Sequence, residues 1–515
     1  MHFVSERRDH RLAAVGSALI ALAFVALLAF AARAQAETIY WNNYLASPSS
    51  VAFADISGSG GGVLNLGGNE LVHPEGMAYD TVTNRLFVAA ETATASQILA
   101  INLDGSGAAP FTAPGAPIEE PEGIAVDPVA RKIYWENTKG EGSIAWANLD
   151  GSAGGTLNTS GATLSGPCCR IAIDPVGGRV YWVNEGTIPN TLSYANLNNS
   201  GGGDLNLTGS AVEPGGEGIL VDSAAGKVYF TGGSNEVGYA NVNGSGGGNV
   251  STTGAAINGP YGIALDPSIG RMYLGNYSNG PAATNAIGVL NLAGGGGGIT
   301  PTSAPVDGPQ DPVILKSPTG TGAPAITQDA GNPAALSCST GSWGADYSGS
   351  FVYQAPRSYG YQWLLNGAAI GGATASTYAA TQPGSYACAV TAVNQTGSAS
   401  QTSGGVTINA ASVKLTVKPK KAKAKAGKVA KFTVKALNQG DLQTKNARIC
   451  VKVPKKARKV LKAKCKSIGK IAARTAKTAK LRVKVKSSAQ GSYKVKIQIK
   501  GASGKVVKAT IKVLG

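Results

Sequence analysis

Residues 121–152, PEGIAVDPVARKIYWENTKGEGSIAWANLDGS, decide the fold predicted for this chain. The stretch holds three runs rich in Ile, Val, Tyr and Trp, at residues 124–127, 132–136 and 143–149. Asp-Pro, Lys-Gly and Asp-Gly turn signals separate these runs. A weaker fourth run lies near residues 156–159. Four short antiparallel strands in one unit are typical of a propeller blade.

The unit recurs along the first 317 residues. A run that ends in aspartate appears at steps of 47, 47, 48 and 44 residues, close to the blade period of about 40–45 residues: Asp80, Asp127, Asp174, Asp222 and Asp266. A degenerate sixth copy, PQDPVIL, lies at residues 309–315. The repeat region begins at the second strand of one unit, and its last unit stops after a first strand. A closed ring therefore forms when these terminal strands belong to the same blade. We predict a six-bladed β-propeller over residues 37–317.

The repeated segments PEGIAVD, RKIYWEN and ANLDGS resemble the YWTD propellers of the low-density lipoprotein receptor class, the class B repeats. The resemblance covers somewhat over half of the chain. It departs after the Tyr-Trp pair, where a dipeptide ending in asparagine replaces Thr-Asp: Glu136-Asn137, Val183-Asn184 or Gly275-Asn276. In the family the aspartate ties neighbouring blades together. The resemblance therefore implies the same structural role for these asparagines, through weaker hydrogen bonds.

Residues 1–36 have the features of a signal peptide. Arg7, Arg8 and Arg11 precede an apolar stretch at residues 12–32, and Ala34-Gln35-Ala36 forms an A-x-A cleavage site. We expect cleavage before Glu37 and a secreted, extracellular or cell-wall-associated protein; kept uncleaved, the apolar stretch is long enough to span a bilayer. No second apolar span follows, and no convincing amphipathic helix is visible after residue 36. We therefore predict an all-β mature chain with no transmembrane span.

Residues 318–411 are predicted to hold a linker and an immunoglobulin-like domain. Cys338 and Cys388 lie 50 residues apart, Trp363 lies between them, and Tyr386 precedes the second cysteine by two residues. This spacing matches a sandwich with an inter-sheet disulfide, a tryptophan packed on it and a tyrosine corner. The segment resembles bacterial surface Ig-like modules, which commonly act as spacers.

Residues 412–515 form a strongly basic segment. It contains 28 Lys, 4 Arg and one acidic residue, Asp441, for a net charge of +31, whereas the rest of the chain carries −14. Lysines alternate with Val, Ile and Leu, which is the pattern of half-buried strands. The segment resembles lysine-rich bacterial surface β-sandwich modules, and the resemblance implies a bond between Cys450 and Cys465.

The basic domain has two interpretations. It is either a solvated face or an electrostatic anchor for anionic envelope polymers such as teichoic acids, acidic polysaccharide, lipid headgroups or DNA. Specific nucleic-acid recognition is not expected, because Phe432 and Tyr493 are its only aromatic residues and Arg is scarce.

The sequence contains few residues that could form a catalytic site. His73 is the only histidine after residue 36, and the chain has no GxSxG, HExxH or P-loop motif. We predict no cofactor, no metal and no enzymatic activity. Cys168 and Cys169 are adjacent; a structural or vicinal disulfide is favoured over a redox switch, and pairing with a partner or free thiols stay open.

One set of residues points to a binding site. The positions expected to precede the innermost strand of each blade would surround one mouth of the central channel: Glu75, Glu122, Cys169, Glu217, Tyr261 and Gln310. Carboxylates there suit a cation, or a polar, basic or sugar ligand. The alternative is that Pro-Glu-Gly is simply a turn with its glutamate in water.

The sequence thus favours an exported, non-enzymatic surface or secreted binding or adhesion protein. Its propeller face would bind a protein or glycan, and its basic domain would associate with anionic envelope polymers. The alternative is a propeller hydrolase or lactonase with a metal held by Glu75, Glu122 and Glu217 at the channel mouth. A scaffold without any small ligand is a third interpretation.

Overall fold

A computed structural model describes residues 37–277, 286–355 and 357–514, except for the side chain of Cys169. The predicted signal peptide and its cleavage site lie outside these residues. The regular structure of the described part consists of 46 β-strands and one short 3-10 turn, Lys455–Ala457. The all-β prediction is confirmed at this level. None of the helices in the described ranges is long and apolar enough to cross a bilayer.

The chain divides into two compact units. The first contains residues 37–319 together with Trp343–Ser358 and Ala392–Ala399. The second contains Gly320–Ser342, Tyr359–Thr391 and residues 400–514. The first unit therefore includes two segments that the sequence analysis assigned to the Ig-like region.

Five sheets of the first unit each contain four strands that are consecutive in the chain. The first two are β4 (Met77–Asp80), β5 (Arg85–Glu91), β6 (Ser96–Asn102), β7 (Gly107–Phe111), and β8 (Pro121–Asp127), β9 (Lys132–Asn137), β10 (Ser143–Asn148), β11 (Gly154–Thr156). The next two are β12 (Pro167–Asp174), β13 (Arg179–Asn184), β14 (Thr191–Asn196), β15 (Gly202–Asp204), and β16 (Ile219–Asp222), β17 (Lys227–Gly232), β18 (Glu236–Asn241), β19 (Gly247–Val250). The fifth is β20 (Pro260–Asp266), β21 (Arg271–Asn276), β22 (Ile287–Asn291), β23 (Gly296–Ile299).

A further sheet joins the two ends of the repeat region. Its order is β3-β2-β1-β24, with β1 (Thr38–Asn43), β2 (Ser50–Asp55), β3 (Gly62–Val63) and β24 (Pro309–Leu315). Strands β1 and β24 are antiparallel, with Thr38 opposite Leu315 and Asn43 opposite Pro309. The predicted pairing of the terminal strands is confirmed.

The first strands of these sheets are arranged in a closed cycle. In the order β24, β4, β8, β12, β16, β20, each strand contacts the next, and β20 contacts β24. A cycle of this kind, with each sheet extending outward from it, is the arrangement of a β-propeller. We call these strands the inner strands and the space they surround the channel.

Strands in the second position are buried on both faces, because each sheet packs between two others. Strands β9 and β13 have no exposed residue, and Trp41, Trp135 and Trp182 are fully buried. This explains why the run Ile133–Trp135 is continuously apolar rather than alternating.

The asparagines at the ends of the second strands hydrogen-bond to the chain segment that precedes the first strand of the same sheet. Asn184 accepts a hydrogen bond from the backbone N–H of Ser165 (3.1 Å) and donates to Ser193 (2.8 Å). Asn276 accepts from the N–H of Asn258 (3.0 Å), and Asn137 accepts from the N–H of Glu119 (2.9 Å). These bonds hold the entering segment to its own sheet, and the role that the resemblance implies, tying neighbouring blades together, stays a prediction.

The segment Trp343–Ser358 closes one end of the channel. Tyr347 and Phe351 are both 2% exposed and belong to the same hydrophobic core as residues of five inner strands. The N–H of Leu265 donates to Ser348 (2.5 Å), and the N–H of Val221 donates to the carbonyl of Ser350 (3.2 Å). Strands β29 (Tyr347–Ser348) and β30 (Val352–Tyr353) extend the closing sheet beyond β24.

The Ig-like region is formed by short strands around a disulfide. Cys338 in β27 is bonded to Cys388 in β34, which belongs to a different sheet, as predicted. Trp363 is fully buried, and the hydroxyl of Tyr386 donates to the carbonyl of Gln382 (2.8 Å). The strands are β25 (Gly320–Gly322), β26 (Ile326–Gln328), β27 (Ala335–Cys338), β28 (Ser342–Trp343), β31 (Ser358–Leu365), β32 (Ala368–Ala369), β33 (Thr377–Ala379), β34 (Gly384–Asn394), β35 (Gly397–Thr402) and β36 (Val406–Ile408).

The basic region forms two five-stranded sheets around one hydrophobic core. The first has the order β41-β43-β39-β37-β45, with β37 (Ser412–Lys418), β39 (Val429–Asn438), β41 (Leu461–Ala463), β43 (Ala476–Val485) and β45 (Ser503–Gly504). The second has the order β38-β46-β44-β40-β42, with β38 (Lys421–Lys425), β40 (Ala447–Lys452), β42 (Lys466–Gly469), β44 (Ser492–Lys500) and β46 (Val507–Leu514). Buried and exposed residues alternate along β37 and β39, with the lysines outward, and Cys450 is bonded to Cys465. Both predictions are confirmed.

We predict that Asn184→Ala lowers the free energy of unfolding by about 2 kcal/mol, because it removes the hydrogen bonds that the buried Asn184 makes with the partly buried Ser165 N–H and with the buried Ser193 hydroxyl. Denaturant unfolding followed by tryptophan fluorescence measures this change. The control is Asn198→Ala, which alters an exposed turn asparagine and is expected to cost less than about 0.5 kcal/mol. Equal effects of the two substitutions would contradict the structural role of Asn184.

Candidate functional site

The predicted mouth residues lie at one end of the ring, where the inner strands begin. Glu122, Tyr261 and Gln310 are the second residues of β8, β20 and β24. Glu75 and Glu217 each precede their inner strand, β4 and β16, by two residues. This is the end opposite to the closing segment.

The strand register corrects one assignment. Pro121 and Pro167 occupy equivalent positions, opposite Asn137 and Asn184. Two residues separate Pro121 from Ile124, which pairs with Trp135, whereas three residues separate Pro167 from Ile171, which pairs with Trp182. Cys168 is itself paired, with Val183. Cys168 rather than Cys169 therefore takes the position of Glu122, because β12 contains one extra residue. Whether Cys168 and Cys169 are bonded to each other lies outside the described side chains and stays a prediction.

The extra residue brings an arginine into the channel. Arg170 is 2% exposed and extends from β12 to β24, which is three inner strands away and thus on the opposite side of the ring. Its Nη2 donates to Oε1 of Gln310 (2.7 Å), and its Nη1 lies 3.4 Å from Oε2 of Glu75. Its Nε lies 3.7 Å from Oδ1 of Asp311. Arg170 therefore joins opposite sides of the mouth by charge-assisted contacts.

Asp311 is held in an unusual backbone conformation beside this arginine. Its φ is 45°, a left-handed value that is uncommon outside glycine, and its carboxylate accepts a hydrogen bond from the N–H of Met77. Burial raises the pKa of Asp311 to about 6, although Arg170 opposes the shift. The aspartate thus links β24 to β4 at the edge of the mouth.

A second group of carboxyl groups lies on the neighbouring sheets. Burial raises the pKa of Glu217 to about 8, against the opposing effects of Arg170 and of a hydrogen bond from Tyr261. Glu136 is fully buried, and neither of its carboxyl oxygens has a hydrogen-bond partner. Burial and the nearby Glu122 carboxylate raise the pKa of Glu136 well above its ordinary value. Glu217 is therefore largely protonated near neutral pH.

Four aromatic rings form a continuous row at the mouth. His73 stacks on Tyr44 with ring centroids 5.0 Å apart, and Tyr44 meets the edge of Tyr277 at 5.2 Å. Tyr277 in turn lies 4.7 Å from Tyr261. The tyrosines are partly exposed, and His73 is exposed. We call these four residues the aromatic row; at one end Tyr44 and His73 also line a cavity of about 840 Å³.

The carboxylates do not form an obvious metal centre. Within the described residues, no group of three or more His, Cys, Asp or Glu side chains is placed so that it could hold a metal ion. The structure therefore does not gather Glu75, Glu122 and Glu217 into a metal-binding set, and it places the Arg170 guanidinium beside Glu75 instead.

A second candidate surface lies on the basic region of the second unit. Two cavities of about 740 and 750 Å³ adjoin each other and share Lys452, Val453 and Arg458. Ten further lysine and arginine side chains line the first or second cavity beside the apolar Val429, Val451 and Val495: Lys420, Lys421, Lys455, Lys462, Lys464, Arg482, Lys484, Lys494, Lys496 and Lys508. We call this pair of cavities the basic groove.

Sequence reasoning missed four residues of the mouth: Tyr44, Glu136, Arg170 and Tyr277. A signal for Arg170 was present, because the third repeat reads Pro-Cys-Cys-Arg-Ile where the second reads Pro-Glu-Gly-Ile. Glu136 was noted only as a departure from Thr in the resembling family, although a charged residue at a position buried in every other repeat is itself unusual.

Comparisons with known proteins add little. No protein-family model matches the chain, and no curated protein matches it. A solved nidogen/laminin complex is 14% identical over 50% of this chain and 89% of that chain, with a TM-score of 0.38. TolB from Acinetobacter baumannii is 13% identical over 59% and 74% of the two chains, with a TM-score of 0.37. A gluconolactonase from Xanthomonas campestris is 13% identical over 61% and 95%, with a TM-score of 0.35. Similarities this low carry no argument about function.

We predict that Glu217 makes stability depend on pH. Its folded-state pKa of about 8 lies above the ordinary value of 4.5, so its contribution to stability is complete below about pH 4.5 and is lost as the pH rises through 8. Glu217→Gln removes this loss. Relative to wild type, the variant should gain about 2 kcal/mol in the free energy of unfolding between pH 5 and pH 9, after allowance for solvent screening.

Denaturant unfolding at the two pH values checks this prediction. The control is Glu141→Gln, which changes an exposed glutamate and should leave the pH dependence as in wild type. The prediction is wrong if wild type and Glu217→Gln differ by the same amount at both pH values.

Proposed function

We propose that the chain is an exported, non-enzymatic surface or secreted binding protein. Residues 37–317 are a six-bladed YWTD-like propeller, residues 318–411 hold a linker and an Ig-like module, and residues 412–515 are a lysine-rich β-sandwich. The basic domain associates with anionic polymers of the cell envelope. The observation that carries this proposal is the basic groove on a domain with a single acidic residue, Asp441.

The shape and chemistry of the basic groove support an extended anionic chain as its ligand. Its two cavities share Lys452, Val453 and Arg458, so a chain with repeated phosphate or carboxylate groups that follows both cavities meets cations in each of them. The lysine stems and the valines supply apolar contact for the uncharged parts of such a chain. The one acid, Asp441, is 3% exposed and is paired with Arg474 at 2.6 Å, so it does not neutralise the groove.

Nucleic acid fits this surface less well. Phe432 is 1% exposed within the core, and Tyr493 is only partly exposed. Single-stranded nucleic acid is bound mainly by stacking of bases on exposed aromatic side chains, which this domain does not offer. The groove therefore favours polymers that are recognised by charge.

For the propeller, we propose that the mouth is the face that binds a protein or glycan ligand. Glu75, Glu122, Glu217, Tyr261 and Gln310 are its contact candidates, with Arg170 as the group that holds opposite sides together. The partly exposed aromatic row supplies the flat apolar contact that both kinds of ligand use.

One observation favours a second function, a propeller hydrolase or lactonase. Glu217 is a partly buried carboxyl group with a raised pKa beside a tyrosine hydroxyl, and such groups act as general acids. The carboxylate-held metal of this alternative finds no three-ligand group among the described residues. Hydrolysis of simple lactones by the purified chain, lost in Glu217→Gln, would favour this alternative.

Substitutions in the basic groove test the binding function. We predict that combined Lys452→Gln, Arg458→Gln and Lys484→Gln weakens co-sedimentation with isolated cell envelopes at least about tenfold at 0.15 M salt, because three converging cations are lost. The matched control is Lys431→Gln, Lys435→Gln and Lys477→Gln, which removes three exposed charges outside the groove.

Binding is measured across a salt series with the chain from Glu37 onward. The expected result is a large loss for the groove variant, a loss of less than about threefold for the control, and release of wild type by salt. Equal losses in both variants would show that only net charge matters, and salt-insensitive binding would contradict the electrostatic mechanism.

A further inference from the structure

Three of the aspartates that end the inner strands each bind a polar group of the next sheet: Asp80, Asp174 and Asp266. The guanidinium of Arg131, in the turn after β8, donates to both carboxylate oxygens of Asp80, at 2.5 and 2.8 Å. The hydroxyl of Ser223, in the turn after β16, donates to Asp174 (2.6 Å). The ammonium of Lys316, directly after β24, donates to Asp266 (2.5 Å). These contacts tie neighbouring sheets together at the ends of the inner strands that lie opposite to the mouth.

Asp127, at the end of β8, does not receive such a partner. In the turn of the next sheet Gly178 directly precedes β13, as Arg131 directly precedes β9, so a glycine occupies the equivalent position. The backbone N–H groups of Val129 and Ala130 both donate to Oδ1 of Asp127, at 2.9 Å. Among the residues that the structure describes, no lysine or arginine forms an ion pair with Asp127, and no side chain donates to its Oδ2.

A cavity of about 420 Å³ lies where the arginine is missing. Asp127, Gly177 and Gly178 line it together with Tyr134. A second cavity of about 310 Å³ adjoins it and shares Lys132 and Tyr134 with it. We call these two cavities the inter-sheet cleft. Burial raises the pKa of the Tyr134 hydroxyl, and the charge of Asp127 adds to this shift, so the hydroxyl lies near the carboxylate.

The lysine of the cleft does not take the place of the missing arginine. Lys132 lies directly opposite Asp127 in the pairing of β8 with β9, but its Nζ is placed 3.9 Å from the ring centroid of Trp146. Arg85 lies opposite Asp80 in the same way, and Asp80 is nevertheless bound by the arginine of the next sheet. The base across the strand pair thus leaves the aspartate to a group from outside its own sheet.

The position of Asp127 favours a cationic partner. Its side chain is 4% exposed, and a carboxylate removed from water in this way is costly unless a positive charge accompanies it. The equivalent Asp80 shows that this position accepts a guanidinium through two parallel hydrogen bonds, which is the strongest arrangement of such a pair.

We propose that the inter-sheet cleft binds a guanidinium group from outside the chain, which takes beside Asp127 the place that the Arg131 side chain has beside Asp80. The group belongs either to a free small molecule or to an arginine side chain of a partner protein, and both present the same chemistry. The site lies apart from the mouth and from the basic groove, so the inference goes beyond the proposed function and does not depend on it.

A metal ion and a neutral group fit the cleft less well. A metal ion requires several ligand atoms at short range, and no group of three His, Cys, Asp or Glu side chains within the described ranges could supply them. A urea group has the shape of a guanidinium but no charge, so it would leave the Asp127 carboxylate without a counter-charge. Citrulline, which carries this group, is therefore the matched neutral probe for arginine.

Filling the cleft from within the chain gives a direct test. Gly178 has a φ of 68° and Arg131 a φ of 56°, and a Cβ added at Gly178 would meet no heavy atom within 4 Å. The Gly178→Arg side chain can therefore adopt the conformation of Arg131 and bind Asp127 itself. Gly178→Ala imposes the same backbone conformation on a side chain without a guanidinium, so it is the matched control.

Isothermal titration calorimetry with the chain from Glu37 onward measures the binding. The probes are L-arginine, a blocked Ala-Arg-Ala tripeptide, and the citrulline counterpart of each. We expect at least one arginine probe to bind, and its citrulline counterpart to bind at least about tenfold more weakly. Gly178→Arg and Asp127→Asn should each weaken the binding at least about tenfold. Gly178→Ala should stay within about twofold of wild type, as should Asp222→Asn, which changes the equivalent aspartate of β16 outside the cleft.

The two arginine probes distinguish the sources of the guanidinium. Binding of L-arginine alone indicates a free small molecule, and binding of the tripeptide indicates an arginine of a partner protein. No binding of either probe, equal binding of arginine and citrulline, or equal losses in Gly178→Arg and Gly178→Ala would overturn the inference. Thermal unfolding gives a second readout without any ligand: Gly178→Arg should unfold at a higher temperature than Gly178→Ala, and a lower one would show that the cleft does not accept a guanidinium.

Discussion

Antiparallel pairing of β1 with β24 is the constraint on which the first unit depends. It brings Thr38 opposite Leu315 and turns a linear series of sheets into a cycle without a free inner edge. Once the cycle is closed, every second strand is covered on both faces, and the loops before the inner strands converge on a single opening. The mouth is thus a consequence of closure, since residues far apart in sequence, such as Glu75 and Gln310, reach the same arginine only in the closed ring.

Much of this architecture followed from the sequence. The repeat of aspartate-ending runs, the position of the first and last strands, and the alternation of lysine with aliphatic residues are local patterns, so they are readable without a structure. The pairs Cys338–Cys388 and Cys450–Cys465 also followed from spacing and resemblance. The placement of Glu75, Glu122, Glu217, Tyr261 and Gln310 at one end of the ring required only the repeat and its symmetry.

The residues that could not be predicted from the sequence depend on exceptions to the symmetry of the repeats. Arg170 enters the channel because one repeat has an extra residue, and its contacts come from the opposite side of the ring. Tyr44 and Tyr277 follow second strands, in positions that no repeat motif marks, and they meet only through closure. The segment Trp343–Ser358 lies beyond the last repeat, and its sequence gave no indication that Tyr347 and Phe351 pack in the propeller core.

That closing segment determines the order in which the chain can complete its fold. Strand β24 ends at Leu315, so all of the repeats must be synthesised before the cycle can close, and the residues that cover its far end come later still. Contacts between such distant parts of a chain form slowly, because a long loop must be ordered first. Until Tyr347 and Phe351 pack against them, the apolar ends of the inner strands face water. The repeats alone therefore leave the ends of the inner strands uncovered, and the region that follows the repeats completes their fold.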